Sequence, residues 1–89
     1  MHATPESVND LRADEVLDTF GLLCPIPIIK TAERVKTLKP GTVLEVISTD
    51  SGVVPDMRNW CKGHRHEYLG HRQNGRAYHV FLRIADRAK

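Results

Sequence analysis

A cysteine followed by two closely spaced prolines is the feature of this chain best suited to chemistry. Cys24 lies in the stretch Gly21-Leu22-Leu23-Cys24-Pro25-Ile26-Pro27, directly before a segment with helical periodicity. Proline is favoured in the first turn of a helix, where backbone N–H groups lack intrahelical partners, so the prolines predict that a helix begins here. A thiol at that position lies at the positive end of the helix dipole, which favours the reactive thiolate. The pattern therefore predicts an accessible thiol that can be activated.

The same stretch leaves a second interpretation open. Pro25 and Pro27 have no N–H to donate, so only Ile26 and Ile28 could hydrogen bond close to the sulfur. The helix dipole must therefore supply more of the stabilisation of the thiolate. A free cysteine is also among the residues most often buried as a small hydrophobe. From the Cys-Pro pair alone, Cys24 could be a reactive thiol or a packing residue.

The other residues that could do chemistry form weaker patterns. Cys61 shares a predicted helix face with Met57 and Trp60, which favours packing, and no Cys-x-x-Cys spacing suggests a redox pair. Cys61, His64 and His66 resemble part of a metal site, but zinc usually needs three or four ligands and the other histidines have no matching spacing. We expect no metal and no cofactor, since the chain also lacks a phosphate loop, a dinucleotide fingerprint and a Ser-His-Asp set.

For the charged residues near the two predicted helices, we expect helix capping or electrostatic effects. Asp50 and Asp56 flank the start of the second helix, where carboxylates cap free N–H groups and interact well with the dipole, so we expect capping from at least one of them. Lys30 and Arg34 project from the first helix, where they could steer docking or add positive potential near Cys24.

The periodicity predicts one small α+β domain with the element order β-α-β-α-β-β. The first helix would bury Ile28, Ala32, Val35 and Leu38. Because a strand–helix–strand crossover makes its strands parallel, we expect a two-layer α/β sandwich: a mixed four-stranded sheet with both helices on one face. An Asn-Gly pair, Asn74-Gly75, predicts a hairpin between the last two strands. The predicted strands are 15–19, 42–48, 66–72 and 76–84, and the predicted helices are 25–38 and 54–63.

The length and composition narrow the class of protein. With 89 residues there is room for one domain at 15–85, which leaves a loose lead-in at 1–14 and a tail at 86–89. No apolar run is long enough to cross a membrane, and the N-terminus does not read as a secretory signal. Two cysteines without an export signal lead us to expect a reducing cytoplasm.

The charge is unevenly distributed along the chain. Residues 1–57 carry a net charge of −4 and residues 58–89 carry +6, within a total of +2. Such a basic half can mark a nucleic-acid surface, yet no aromatic residues alternate with its basic ones in the manner of a stacking platform. A solvated face that orients acidic protein partners is the alternative that we favour.

The motif around Cys24 resembles the signature of the TusA/SirA-like sulfur-carrier proteins, whose hallmark is Cys-Pro-x-Pro after a short strand. The resemblance extends over roughly 15–84 and implies the two-layer fold. It also implies that Cys24 is the catalytic residue, which holds sulfane sulfur as a persulfide. Ile26 is a departure, because an acid often stands between the two prolines. Further positions that carry the resemblance are Leu17-Asp18, Lys39-Pro40-Gly41, Leu44-Glu45-Val46, Thr49-Asp50, Asp56, Trp60-Cys61, Gly75-Arg76-Ala77-Tyr78 and Phe81.

The function expected from this resemblance is a persulfide relay rather than a stand-alone enzyme. The donor would be a cysteine desulfurase or a rhodanese, and the acceptor a protein cysteine in tRNA thiolation or dissimilatory sulfur metabolism. Leu22, Leu23 and Ile26 could form the docking rim, and we expect a monomer. The alternative is a non-catalytic regulatory or RNA-interacting module in which Cys24 is structural.

Overall fold

The computed structural model describes residues 12–85, which form a mixed four-stranded sheet and two helices in the predicted order. The predicted α+β class is therefore confirmed. Most of the predicted lead-in (1–11) and the predicted tail (86–89) lie outside the described residues. The elements are β1 (Glu15–Thr19), α1 (Ile26–Val35), β2 (Val43–Ser48), α2 (Val53–His64), β3 (Glu67–Asn74) and β4 (Ala77–Arg83).

The strands lie in the sheet in the order β1-β2-β4-β3. β1 and β2 are parallel, as the crossover through α1 requires, and the other neighbours are antiparallel. The β3–β4 hairpin pairs Asn74 with Ala77, so its two-residue loop is Gly75-Arg76, one residue later than the predicted Asn-Gly pair. Gly75 takes the positive φ of 62° that the first loop position needs, and Asn74 stays in the strand.

The core lies between one face of the sheet and the two helices. Burial alternates along β2, where Leu44 and Val46 point inward with no exposed surface. α1 packs against β1 and β2, whereas α2 packs against β3 and β4. The buried cluster combines both layers: Val35, Leu44, Val46, Val53, Met57, Cys61, Val80, Leu82 and Ile84.

The buried stripe of α1 differs from the predicted one. Its fully buried positions are Pro27, Thr31 and Val35, whereas Ile28 and Leu38 are only partly buried against the core. Thr31 can be buried because its Oγ1 donates a hydrogen bond of 2.8 Å to the Pro27 carbonyl one turn earlier. A hydroxyl satisfied within the helix is not recognisable from apolar periodicity. Among residues 12–85, neither helix has the length and apolar character of a membrane span.

Candidate functional site at Cys24

Two loops meet at one edge of the sheet, where the parallel strands β1 and β2 end. The β1–α1 loop (20–25) carries Cys24, and the β2–α2 loop (49–52) follows Ser48. Because neighbouring parallel strands end on the same side, both loops lie at the edge where open α/β layers commonly bind ligands. Cys24 therefore lies at this edge of the sheet, beside the β2–α2 loop.

Hydrogen bonds fasten the first loop to the second. The Gly21 N–H donates to Thr49 Oγ1 over 3.1 Å, and the Cys24 N–H donates to Asp50 Oδ2 over 2.8 Å. The other carboxylate oxygen of Asp50 accepts a bond of 2.9 Å from the Gly52 N–H. One side chain therefore holds the backbone on both sides of the site. Gly21 has a φ of 84°, the left-handed conformation that lets the chain turn toward Cys24.

Cys24 lies one residue further from α1 than the sequence suggests. Pro25 is the N-cap, Ile26 is the first helical residue and Pro27 the second. The Cys24–Pro25 peptide bond is cis. The Cys24 side chain is partly exposed and packs against the edge of the core cluster, so the sulfur lies at a boundary between core and solvent.

The electrostatic surroundings of Cys24 differ from the sequence-based expectation. We predicted that the helix dipole would favour the thiolate, but the pKa of Cys24 is raised to about 12. Partial burial of the thiol contributes most, and the charges and hydrogen bonding of Asp50 and Asp56 add to it. The resting group is a protonated thiol, so sulfur chemistry here requires a way to remove that proton.

We expected at least one of the two carboxylates, Asp50 or Asp56, to cap α2, and this prediction is wrong. The N-cap of α2 is Gly52, and no side chain caps that helix. Asp50 instead ties the two loops together, and its pKa is lowered, first by the hydrogen bond from the Cys24 N–H and then by that from Gly52. Asp56, in the first turn of α2, acts on the Cys24 thiol. Their convergence could have been inferred from the parallel β1–β2 pair.

The close approach of the two loops depends on Gly52. A Cβ added there would lie 3.3 Å from Asp50 Oδ1 and 4.0 Å from Cys24 Sγ. The first distance is tighter than ordinary van der Waals contact, so any larger side chain would push the Asp50 carboxylate away from the loop it fastens. Gly52 is a site residue that the sequence analysis did not identify.

Exposed apolar side chains surround the loop that carries Cys24. Leu23 is 70% exposed and Ile26 is 39% exposed, in agreement with the predicted docking rim, whereas Leu22 is half-buried. The structure adds Phe20 at 58% and Ile29 at 49%. Large apolar side chains exposed close together in sequence and on one helix commonly mark a surface that another protein covers. We refer to Phe20, Leu23, Ile26 and Ile29 as the apolar rim.

The cations of α1 do not act on the sulfur. Arg34 forms an ion pair of 2.6 Å with Glu15 of β1, and the side chain of Lys30 is exposed on α1. Neither is among the causes of the pKa shift of Cys24, so the expected positive potential is not found at the sulfur, and steering of docking by these cations stays a prediction. Lys30, Arg34, Leu17, Glu33 and Thr37 line an open groove of about 290 Å³ along β1 and α1.

The remaining candidate residues lie away from this site. Cys61 is buried with 1% exposure in the core, and the two cysteines are not joined by a disulfide. Trp60 stacks on His64 and on His66, with ring centroids 4.8 and 5.1 Å apart. Within residues 12–85, no three His, Cys, Asp or Glu side chains are grouped as a metal site.

Three arginines of the basic half are engaged within the molecule. Arg58 lies 5.2 Å from the ring centroid of Tyr68, and Arg72 lies 5.2 Å from that of Phe81. Arg83 pairs with Glu67 over 2.6 Å. Both rings are therefore occupied by arginine, which weakens the RNA-binding alternative because stacking on bases needs open aromatic faces.

Comparison with known proteins places the whole described domain in one family. The family model described as "Sulfurtransferase TusA" matches residues 15–84. The candidate sulfur carrier protein YrkF of Bacillus subtilis is 48% identical over 73 residues, which span 82% of this chain but only 40% of that relative. The sulfur carrier protein TusA of Pseudomonas entomophila is 36% identical, over 85% of this chain and 95% of that protein.

A solved structure supports the same fold. The crystal structure of a SirA-like protein from Desulfitobacterium hafniense matches with a TM-score of 0.67 and covers 81% of this chain and 99% of its own. At 21% identity, this likeness concerns the arrangement of the strands and helices.

Proposed function

Because the chain belongs to the TusA family of sulfurtransferases, we propose that it is a sulfur carrier that works through Cys24. The thiol accepts sulfane sulfur from a donor protein as a persulfide and passes it to a cysteine of an acceptor protein. The donor is a cysteine desulfurase or a rhodanese. The observation that carries the proposal is the partly exposed Cys24 sulfur beside an apolar rim, in a chain whose other cysteine is in the core.

The chemistry of loading follows from thiol–disulfide exchange. Cys24 Sγ attacks the outer sulfur of the donor's persulfide, the donor's own thiol leaves, and Cys24 becomes a persulfide. In the second half, an acceptor cysteine attacks the outer sulfur and Cys24 returns to the thiol. Because the Cys24 side chain is partly exposed, an acceptor can approach the outer sulfur without unfolding the carrier.

The apolar rim gives the two exchange steps a common docking surface. Leu23 and Ile26 flank Cys24 in sequence, so a partner that covers them brings its own sulfur toward Sγ and excludes water from the reacting atoms. Since the donor and the acceptor need the same sulfur, they must bind in turn rather than together. Each complex therefore has to be transient.

Intact mass spectrometry tests this proposal. The wild type, Cys24→Ser and Cys61→Ser are incubated with a cysteine desulfurase and cysteine, or with a rhodanese and thiosulfate. We expect the wild type and Cys61→Ser to gain one sulfur atom that a reductant removes, and Cys24→Ser to gain none. Failure of the wild type to gain sulfur from either donor, with Cys24 reduced at the start, would contradict the proposal and favour a binding module.

A further inference from the structure

The transfer step needs a route for one proton, and the surroundings of Cys24 contain two carboxylates that could supply it. We propose that Asp56 is the proton relay of sulfur transfer: it takes the proton of the Cys24 thiol as Sγ attacks, and it returns this proton to the donor sulfur that leaves. The inference rests on the proposed function, since it assigns a second residue to the same exchange reaction.

The reaction balances with Asp56 in this role. A bond forms between Cys24 Sγ and the outer sulfur of the donor persulfide, while the sulfur–sulfur bond of the donor breaks. The Cys24 thiol is oxidised to a persulfide and the donor persulfide is reduced to a thiol, so no other oxidant or reductant takes part. The Cys24 proton moves to the Asp56 carboxylate and then to the departing thiolate.

The structure separates Asp56 from Asp50, the other carboxylate at the site. Both oxygens of Asp50 accept backbone hydrogen bonds, of 2.8 Å from the Cys24 N–H and 2.9 Å from the Gly52 N–H. A proton on Asp50 would break one of these bonds and loosen the loops, which makes Asp50 a poor acceptor. Asp50 is therefore a fixed negative charge that positions Cys24.

Asp56 has the placement that a relay requires. It lies in the first turn of α2 with its side chain exposed, and its N–H donates to the Gly52 carbonyl over 3.1 Å, one turn earlier. A Cβ at Gly52 would lie 4.0 Å from Cys24 Sγ, and side chains four residues apart share a helix face, so Asp56 is on the face of α2 that approaches the sulfur. The carboxylate is thus placed beside the reacting sulfur, and its exposure leaves it open to an incoming donor.

The charged groups around the sulfur leave few alternatives. Among residues 12–85, those that act on the thiol are Asp50, from the β2–α2 loop, and Asp56, from α2. From α1, neither Lys30 nor Arg34 contributes. The raised pKa of Cys24 means that the thiolate is scarce near neutral pH. Sulfur loading, which must also protonate the departing donor thiolate, would therefore be slow in a carrier without a proton relay.

Two reactions of Cys24 distinguish a proton relay from a carboxylate whose negative charge only disfavours the thiolate. Alkylation by iodoacetamide needs the thiolate but returns no proton to a leaving thiolate, whereas loading from glutathione persulfide requires that transfer. In Asp56→Asn, we expect alkylation at pH 7 to become about tenfold faster, as for a pKa lowered by about one unit. We expect loading to become about tenfold slower, because the acceptor is lost.

Three variants and two assays complete the test. Asp56→Glu keeps a carboxylate and should recover loading to within about threefold of the wild type. Glu33→Gln removes the same charge from an exposed position on α1 and should alter neither reaction. If Asp56→Asn loads as fast as the wild type or faster, Asp56 only suppresses the thiolate and the relay is wrong.

A comparison across pH adds a measurement that a merely structural role would not change. The donor titrates identically with every variant, so the ratio of wild-type to Asp56→Asn loading rates isolates the carrier. We expect this ratio to fall as the pH rises from about 6 to about 9, because thiolate attack replaces the relay. A constant ratio overturns the inference.

The two proposals fail in different ways. If Asp56→Asn does not fold, the loading rate of wild-type protein decides: a rate that rises with pH as steeply as alkylation contradicts a relay. If the wild type alkylates at Cys24 but loads no sulfur from any donor, the proposed function itself is wrong.

Discussion

Cys24 and Cys61 carry the same thiol in two different parts of the molecule. The pKa of each is raised to about 12, for Cys61 by burial alone and for Cys24 by burial first and then by two carboxylates. Acidity therefore does not distinguish them. The two thiols differ in solvent exposure and in their neighbours. Cys61 is enclosed by the core, whereas Cys24 is partly exposed and lies beside the apolar rim and two carboxylates that can interact with its proton.

This difference indicates how a small carrier can hold a reactive atom safely. A thiol activated by a low pKa would react with any electrophile, because the thiolate is the nucleophile. A protonated thiol at a partly exposed edge remains a poor nucleophile until a partner docks and the proton is removed. In the proposed function, control of the reaction then lies in the complex rather than in the free carrier.

The largest expected difference between the two thiols is their rate of alkylation. Under native conditions we expect iodoacetamide to label Cys24 at least about a hundredfold faster than Cys61, because Cys61 reacts only when the core opens. In denaturant the two rates should become equal to within about threefold. Peptide mapping of a labelling time course measures both. Faster labelling of Cys61 in the folded protein would remove the basis for assigning chemistry to Cys24.

A second prediction concerns the apolar rim that only Cys24 has. Leu23→Ser should slow loading from a cysteine desulfurase by about tenfold, equivalent to about 1.4 kcal/mol of lost docking energy. Alkylation of Cys24 should stay unchanged. Val16→Ser is the matched control, because Val16 is also half-exposed and apolar but lies on β1, outside the rim. Equal effects of the two variants would mean that donors do not bind this rim.

The third prediction concerns stability, for which Cys61 is expected to matter more than Cys24. Cys61→Ser places a hydroxyl in the core and should lower the free energy of unfolding by about 1–2 kcal/mol. Cys24→Ser, at a partly exposed position, should lower it by less than about 0.5 kcal/mol. Urea unfolding followed by circular dichroism gives both values. A larger loss from Cys24→Ser would mean that Cys24 contributes mainly to packing.

The smallest expected effect concerns the carboxylate that positions Cys24. The pKa of Asp50 is lowered, so its folded-state interactions stabilise the protein above the pKa of an unfolded aspartate, and this contribution disappears as the pH falls through the folded-state pKa. Asp50→Asn loses one of the two accepted N–H bonds and should lower the Tm by a few degrees at pH 7. The difference from the wild type should shrink in acid. A difference that is the same at pH 7 and in strong acid would mean that the ionised carboxylate is not the cause, and Glu33→Gln serves as the charge-matched control.

Local patterns in the sequence were enough to predict most of the fold. The bounds of β1 match the predicted range, and the other elements differ by a few residues at their ends. The larger errors are at α1, where Pro27 and Thr31 are buried in place of Ile28 and Ala32. Apolar spacing cannot identify a threonine whose hydroxyl is satisfied by its own helix, because that hydrogen bond is a property of the folded backbone.

The candidate site could be predicted only in part. The Cys-Pro-Ile-Pro stretch indicated Cys24, and the rim residues Leu23 and Ile26 lie beside it in sequence. Asp50 is 26 residues away from Cys24 along the chain, yet its carboxylate accepts the Cys24 N–H. We predicted helix capping for at least one of Asp50 and Asp56 because short-range rules describe what a residue does for its own helix, and they contain no information on which loops meet.

The sequence by itself determined the order of the elements, the loop that carries the partly exposed Cys24 and the family. Alternating strands, prolines at a helix start and a glycine turn are local signals, so they can be recognised without the fold. Only the tertiary structure decided the state of that thiol. The parallel pairing of β1 with β2 brings two carboxylates from a distant segment close to Cys24, and partial burial together with these charges raises its pKa. Proton affinity depends on the charges and the water around a group, and both are set by the fold.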